Sequence, residues 1–163
     1  NRIMAERDAY ILVRVAPMMF NAWFTLGIIQ MDNGHGREAV ATWTQLLEVY
    51  PGDYQSMKYL SVALVPVDAK KAVGAMERCL GRMAAVGAVP DSHDRVAYGM
   101  ALKAAKATVE AKAQFDLAFG FSNVKMTPVQ WSQWGYRVGG DHLSAALKTG
   151  VDPLSGKFDP MSK

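Results

Sequence analysis

"AWFTLGIIQMDNGHGREAVATWTQLLEVYPGD", residues 22–53, is the stretch whose reading decides the fold. Trp23, Leu26, Gly27 and Met31 recur at helical spacing before its polar centre, and Ala39, Trp43, Leu46 and Leu47 do so after it. That spacing puts each set on one face of a helix. Between them, Asn33 and Gly34 tolerate the left-handed conformation that ends helices. Glu38 falls in the first turn of the next helix, where the dipole favours a carboxylate. "YPGD" at 50–53 then stops the second helix. The stretch therefore predicts an antiparallel helix pair with "DNGHGREA", 32–39, as its corner. The histidine between two glycines, His35, invites a phosphate-cradle reading. A phosphate loop needs a preceding strand and a Gly-x-x-x-x-Gly-Lys pattern, and neither is present. His35 is expected to be a solvated loop residue.

The pair resembles the tetratricopeptide repeat (TPR), a helix–turn–helix unit of about 34 residues. Trp23, Leu26 and Gly27 match its Trp-x-x-Leu-Gly opening, Ala39 and Trp43 the Ala-x-x-x-aromatic of its second helix, and Pro51 its closing proline. Gln30 departs from the usual Tyr, and Leu46 is larger than the usual Ala. Gly27 and Ala39 are small where two backbones must approach, and Trp23 and Trp43 fill the space on either side.

One such unit cannot bury its own face, so further units are expected. Tyr98, Gly99, Ala111, Phe115 and Ala118 follow Leu26, Gly27, Ala39, Trp43 and Leu46 at one constant offset, that of two repeats. Trp131, Trp134 and Gly135 follow Trp23, Leu26 and Gly27 at a second constant offset, that of three repeats. The mean spacing is thus near 36. The expected fold is all-α, antiparallel helix pairs stacked as a short TPR-like solenoid. Its parts are a truncated leading half-repeat at 1–19, a repeat at 20–53, a degenerate repeat at 54–91, a third at 92–126, a partial C-terminal repeat or cap at 127–153, and an extended tail at 154–163. Two registers compete in the second unit, one with Ser61 and Ala72 at the small sites, the other with Ala63 and Ala75.

Composition suits this fold. Of 163 residues, 50% are hydrophobic and 20% charged, enough for a core and unlike a disordered chain. A net charge of +3 permits an acidic partner without demanding nucleic acid. The single cysteine, Cys79, excludes an internal disulfide and a cysteine cluster for zinc. No run approaches the ~18 apolar residues of a membrane span; Arg14 and Pro17 interrupt the apolar stretch from Tyr10 to Phe20. The first residue is Asn1, which reads as a mature or trimmed product lacking any targeting segment, so the compartment stays open.

Little catalytic chemistry is legible. His35, His93 and His142 fall in three different turns or helix starts without an i, i+4 ligand partner, so neither a metal nor another cofactor is expected. Cys79 shares an apolar stripe with Ala72, Met76 and Met83 and reads as a buried hydrophobe. No nucleophile-elbow, paired-carboxylate or dinucleotide signature occurs. The chain reads as a non-enzyme.

The TPR resemblance implies a partner-binding concave face lined by the first helices. Carried over by position, it comprises Phe24, Ile28 and Met31 from the first unit and Val96, Met100 and Lys103 from the third. The second adds either Lys58, Val62 and Val65 or Leu60, Leu64 and Val67. This set lacks the Lys/Asn/Arg clamp that holds chaperone-tail carboxylates in some family members. An apolar face fits an amphipathic helix or a flat subunit surface. The expected function is a protein–protein interaction module: an adaptor, assembly factor or accessory subunit of a larger complex. The competing structural expectation is that these residues only contact their own neighbours or the C-terminal tail. An RNA-binding array, suggested by a pI near 9.0, is the alternative, but the aliphatic face offers few stacking positions. An enzyme using Cys79 ranks last.

Overall fold

The structure, a computed structural model, describes residues 2–120. They form seven helices, α1 (Arg2–Val15), α2 (Phe20–Asp32), α3 (Gly36–Val49), α4 (Tyr54–Leu64), α5 (Ala69–Ala85), α6 (Ser92–Ala104) and α7 (Thr108–Gly120), and no strand occurs among them. Each helix packs on the next in chain order, and α4 also touches α6. The result is three stacked helix pairs, α2/α3, α4/α5 and α6/α7, preceded by α1. Trp131, Trp134, Gly135 and His142, with the expected fourth unit and tail, lie outside the described residues.

Local chemistry sets the helix ends. Asp53, Asp68 and Asp91 cap α4, α5 and α6 by accepting the backbone N–H groups of Ser56, Lys71 and Asp94. The corner at 32–39 closes as a Schellman motif. The His35 N–H donates to the Gln30 carbonyl at 2.8 Å and the Gly34 N–H to that of Met31 at 3.1 Å, with Gly34 at φ +78°. The same motif recurs two units later. There the Ala107 N–H donates to Leu102 O at 2.9 Å and the Lys106 N–H to Lys103 O at 3.0 Å. Lys106 takes the place of Gly34 at φ +66°, a strained conformation for a residue with a Cβ.

The pairs interlock by size. A Cβ on Gly27 would lie 2.5 Å from the Trp43 ring, and one on Gly99 would lie 2.8 Å from the Phe115 ring. In both pairs the first helix gives up its side chain so that the second can lay an aromatic against bare backbone. The middle pair follows the Ser61/Ala72 register. Both residues are fully buried, and the Ser61 hydroxyl donates to the Ala72 carbonyl at 2.7 Å. Three second helices then present equivalent buried triplets: Ala39, Trp43, Leu46; Ala72, Met76, Cys79; and Ala111, Phe115, Ala118.

This register explains the irregular period. Ser61 follows Gly27 at the TPR spacing of about 34 residues. Gly99 follows Ser61 at that spacing plus one more helical turn of about 3.6 residues. The surplus lies after Ala72, where α5 runs 17 residues against 14 for α3. The α4–α5 corner is tighter than the others, since Ala72 follows Ser61 one position sooner than Ala39 follows Gly27. Pro66 sits there, and the Val67 and Asp68 N–H groups close the turn onto Leu64 O at 2.9 and 2.7 Å without a left-handed residue. Shifting α3 back by one TPR length, about 34 residues, reproduces the bounds of α1 and maps Pro51 onto Pro17. So α1 occupies a second-helix position, packing Ala9 and Val13 against Ala22 and Leu26 of α2.

The size interlock makes Gly27→Leu destabilising by about 1–3 kcal/mol through overpacking, and Trp43→Ala by about 3–5 kcal/mol through the cavity it leaves. Urea unfolding should also find the double variant less destabilised than the sum, since the leucine partly fills the vacated ring site. Lys106→Gly should instead raise stability by about 1 kcal/mol, relieving the left-handed strain; an unchanged urea midpoint would contradict this reading of the turn.

Candidate functional site

The residues expected to face a partner divide into two groups. Val96 and Met100 are buried core residues, clustered with Val62, Met76 and Phe115. That corrects their expected place on an open face. The reason is the direct contact of α4 with α6: these two first helices lie side by side, and their facing residues meet each other. The same holds for Val62 and Val65 of the chosen register, both buried.

Phe24, Ile28, Met31 and Lys103 are half-buried. Phe24 stands edge-on to Trp43, with centroids 5.0 Å apart, and edge-on to Tyr59 at 5.4 Å. Phe20 stacks on Phe24 at 5.5 Å and meets the Tyr50 ring edge-on at 5.3 Å. Trp43 stacks on Tyr59 at 5.3 Å, and its Nε1–H points to Met31 Sδ at 3.3 Å. These rings form a seam joining the first two pairs. The contribution of Phe20, Tyr50 and Tyr59 is not readable from the repeat pattern, because none of them occupies a motif position. Ile28 packs against the same cluster.

Lys58 stands where the neighbouring units have Phe24 and Val96. It is buried, and its Nζ donates to Asp94 Oδ1 at 2.9 Å. Asp94 Oδ2 in turn accepts the Asp91 N–H at 2.9 Å, completing a capping box at the start of α6. The pair thus ties α4 to the N-terminus of α6 across the unit boundary. His93 beside it holds the Asp91 carboxyl well below its ordinary range by hydrogen bonding. Cys79 is fully buried; burial pushes its thiol up to about 12, and its Sγ–H donates to the Tyr54 carbonyl at 3.2 Å. It is a protonated core group at neutral pH, not a thiolate nucleophile. No three His, Cys, Asp or Glu side chains gather as metal ligands would among the described residues.

The His35 corner has a role that sequence did not reveal. Glu6 of α1 accepts from the Asn33 amide at 2.5 Å and from His35 Nδ1 at 2.8 Å. Burial pushes the Glu6 carboxyl up, but these hydrogen bonds and the His35 charge outweigh it and leave it below its ordinary value. His35 is thus the exposed loop residue expected, and it also tethers α1.

The remaining surface feature is α1 itself. Ile3, Met4, Tyr10, Ile11, Leu12 and Val15 are all exposed, and Met18 and Met19 extend the apolar surface into the following turn. Leu12 is 43% exposed, whereas its counterpart in α3, Leu46, is completely buried. Equivalent positions of α3 outside its buried stripe carry Arg37, Glu38, Thr44 and Gln45, so α1 is apolar where α3 is polar. The signal was present in the sequence as this contrast between two helices. Among the described residues no helix is long and apolar enough to cross a membrane. No protein-family model matches the chain, and no curated protein matches it either.

Removing one member of the buried ion pair should be costly. Lys58→Met leaves the Asp94 charge uncompensated and should cost about 3–5 kcal/mol. The double variant Lys58→Met, Asp94→Ser keeps a cap at the start of α6 and should recover most of that loss. Denaturant titration of the three proteins would overturn the pairing if the double variant were the least stable.

Proposed function

We propose that this chain is a non-catalytic, TPR-like protein–protein interaction module, serving as an adaptor, assembly factor or accessory subunit of a larger protein complex. The observation that supports this most directly is the stack of antiparallel helix pairs, since such arrays present extended contact surfaces. The pairs supply the frame that such a module needs. Phe24, Ile28, Met31 and Lys103 remain candidate contact residues, since they are half-buried and not sealed in the core.

Tandem purification of the tagged 163-residue chain tests the proposal. It should carry a protein partner at fixed stoichiometry, resistant to nuclease treatment. Recovery of the chain alone, or with RNA lost as salt rises, would overturn it in favour of an isolated or RNA-binding array.

A further inference from the structure

We infer that Asn33 is a self-modifying site: when the α2–α3 corner opens, the Gly34 backbone nitrogen displaces the Asn33 side-chain amide, and the carboxylate left behind loosens α1.

The corner of the first pair is built from an Asn–Gly dipeptide, whereas the equivalent residues two units later are Ala105 and Lys106. Both corners close by the same backbone hydrogen bonds, so the turn itself does not require the asparagine. What Asn33 adds is a contact with α1. Its Nδ2 donates to the Arg2 carbonyl at 3.2 Å and to Glu6 Oε2 at 2.5 Å. Gly34 is exposed and has no Cβ to shield its nitrogen. Asparagine is a thermolabile residue, and it is most so where the next residue leaves the backbone nitrogen open in this way.

The reaction is an intramolecular acyl transfer. The Gly34 nitrogen bonds to Asn33 Cγ, the Cγ–Nδ2 bond breaks, and ammonia leaves with the proton lost from the Gly34 nitrogen. Water then adds to the cyclic imide and opens it to aspartate or isoaspartate. No electron is gained or lost, and water is the only co-reactant.

The closed corner holds this reaction off. Ring closure needs the Gly34 nitrogen turned onto the side of Cβ. Asn33 has ψ −3°, which eclipses that nitrogen with the Asn33 nitrogen instead. The Gly34 N–H is engaged with Met31 O at 3.1 Å, and the leaving nitrogen is held by α1. The attack therefore proceeds from a locally opened corner, and docking of α1 protects the amide. The product cannot restore the contact. A carboxylate donates no hydrogen bond, so an oxygen in the place of Nδ2 meets two acceptors, the Arg2 carbonyl and the Glu6 carboxylate. The nearby cationic side chains are already engaged: His35 Nδ1 lies 2.8 Å from Glu6 Oε2, and Arg2 Nη1 donates to the Asp32 carbonyl at 3.5 Å. Each event is thus a one-way step towards a looser α1.

Storage of the purified full chain at neutral pH, with peptide mapping by mass spectrometry at intervals, tests the site. Asn33 should convert to aspartate and isoaspartate while Asn21, exposed in the first turn of α2 and followed by Ala22, stays intact. Glu6→Ala frees the amide and should speed conversion about tenfold, the size of one hydrogen bond to a charged group. The consequence is read by hydrogen exchange of the Ala9 and Val13 amides of α1. Asn33→Leu removes the donor without adding charge, whereas Asn33→Asp also places a carboxylate against Glu6. Exchange in the aspartate variant should be about tenfold faster than in the leucine variant, through repulsion between the two carboxylates. Should circular dichroism find Asn33→Asp unfolded throughout, the aged parent takes its place, separated from intact chain by its added negative charge. Asn33 lasting as long as Asn21 overturns the modification site. Conversion unchanged by Glu6→Ala overturns its protection by α1, and equal exchange in the two variants overturns the loosening by charge.

Discussion

Everything in this array depends on one steric exchange: a first helix with no side chain at one position, and a second helix with a large ring pressed onto the bare backbone. Gly27 against Trp43 and Gly99 against Phe115 are two instances. Helix axes pack at roughly 8–10 Å, with the separation set by the side chains at the contact. Removing one side chain completely allows the near limit, and the opposing ring then fills the volume that a Cβ would need. The middle pair meets the same demand differently. Ser61 uses its hydroxyl to satisfy the Ala72 carbonyl, and the flexible Met76 replaces a rigid ring. A less rigid solution at the centre is consistent with the one corner within a pair that lacks a left-handed turn.

Close approach within pairs is accompanied by direct contact of the first helices α4 and α6, and this decides what the face they form can do. Val62, Val96 and Met100 meet each other instead of a ligand. Lys58 enters that closed face as its one buried cation among the described residues, and Asp94 answers it. Asp94 also caps α6, so a single carboxylate fixes both the start of a helix and its register against the previous unit. The aromatic seam of Phe20, Phe24, Trp43, Tyr50 and Tyr59 plays the corresponding part between the first two pairs.

The helix pairs were legible because they rest on local signals: helical spacing, Gly34 at the corner, Asp at the helix starts, and one offset shared by five residue pairs across two units. The register of the middle unit was not. Ser61/Ala72 and Ala63/Ala75 both offer small residues at helical spacing, and only the shortened corner, a matter of backbone geometry, separates them. The fate of Val96 and Met100 was hidden for another reason. Spacing within a helix tells which residues share a face, but not how closely the next helix covers it. His35 shows the same limit, since its partner Glu6 lies far back in the chain on a helix whose docking no local pattern reports.

The stacking also sets how a change in one unit reaches the next. In stacked arrays stability is shared mainly between nearest neighbours. Leu26 is one such link: it is buried with Ala9 and Val13 of α1, and the next residue is Gly27, whose backbone receives Trp43. Loosening the contact of α1 with α2 would therefore be felt first in the α2/α3 pair and would fade beyond it.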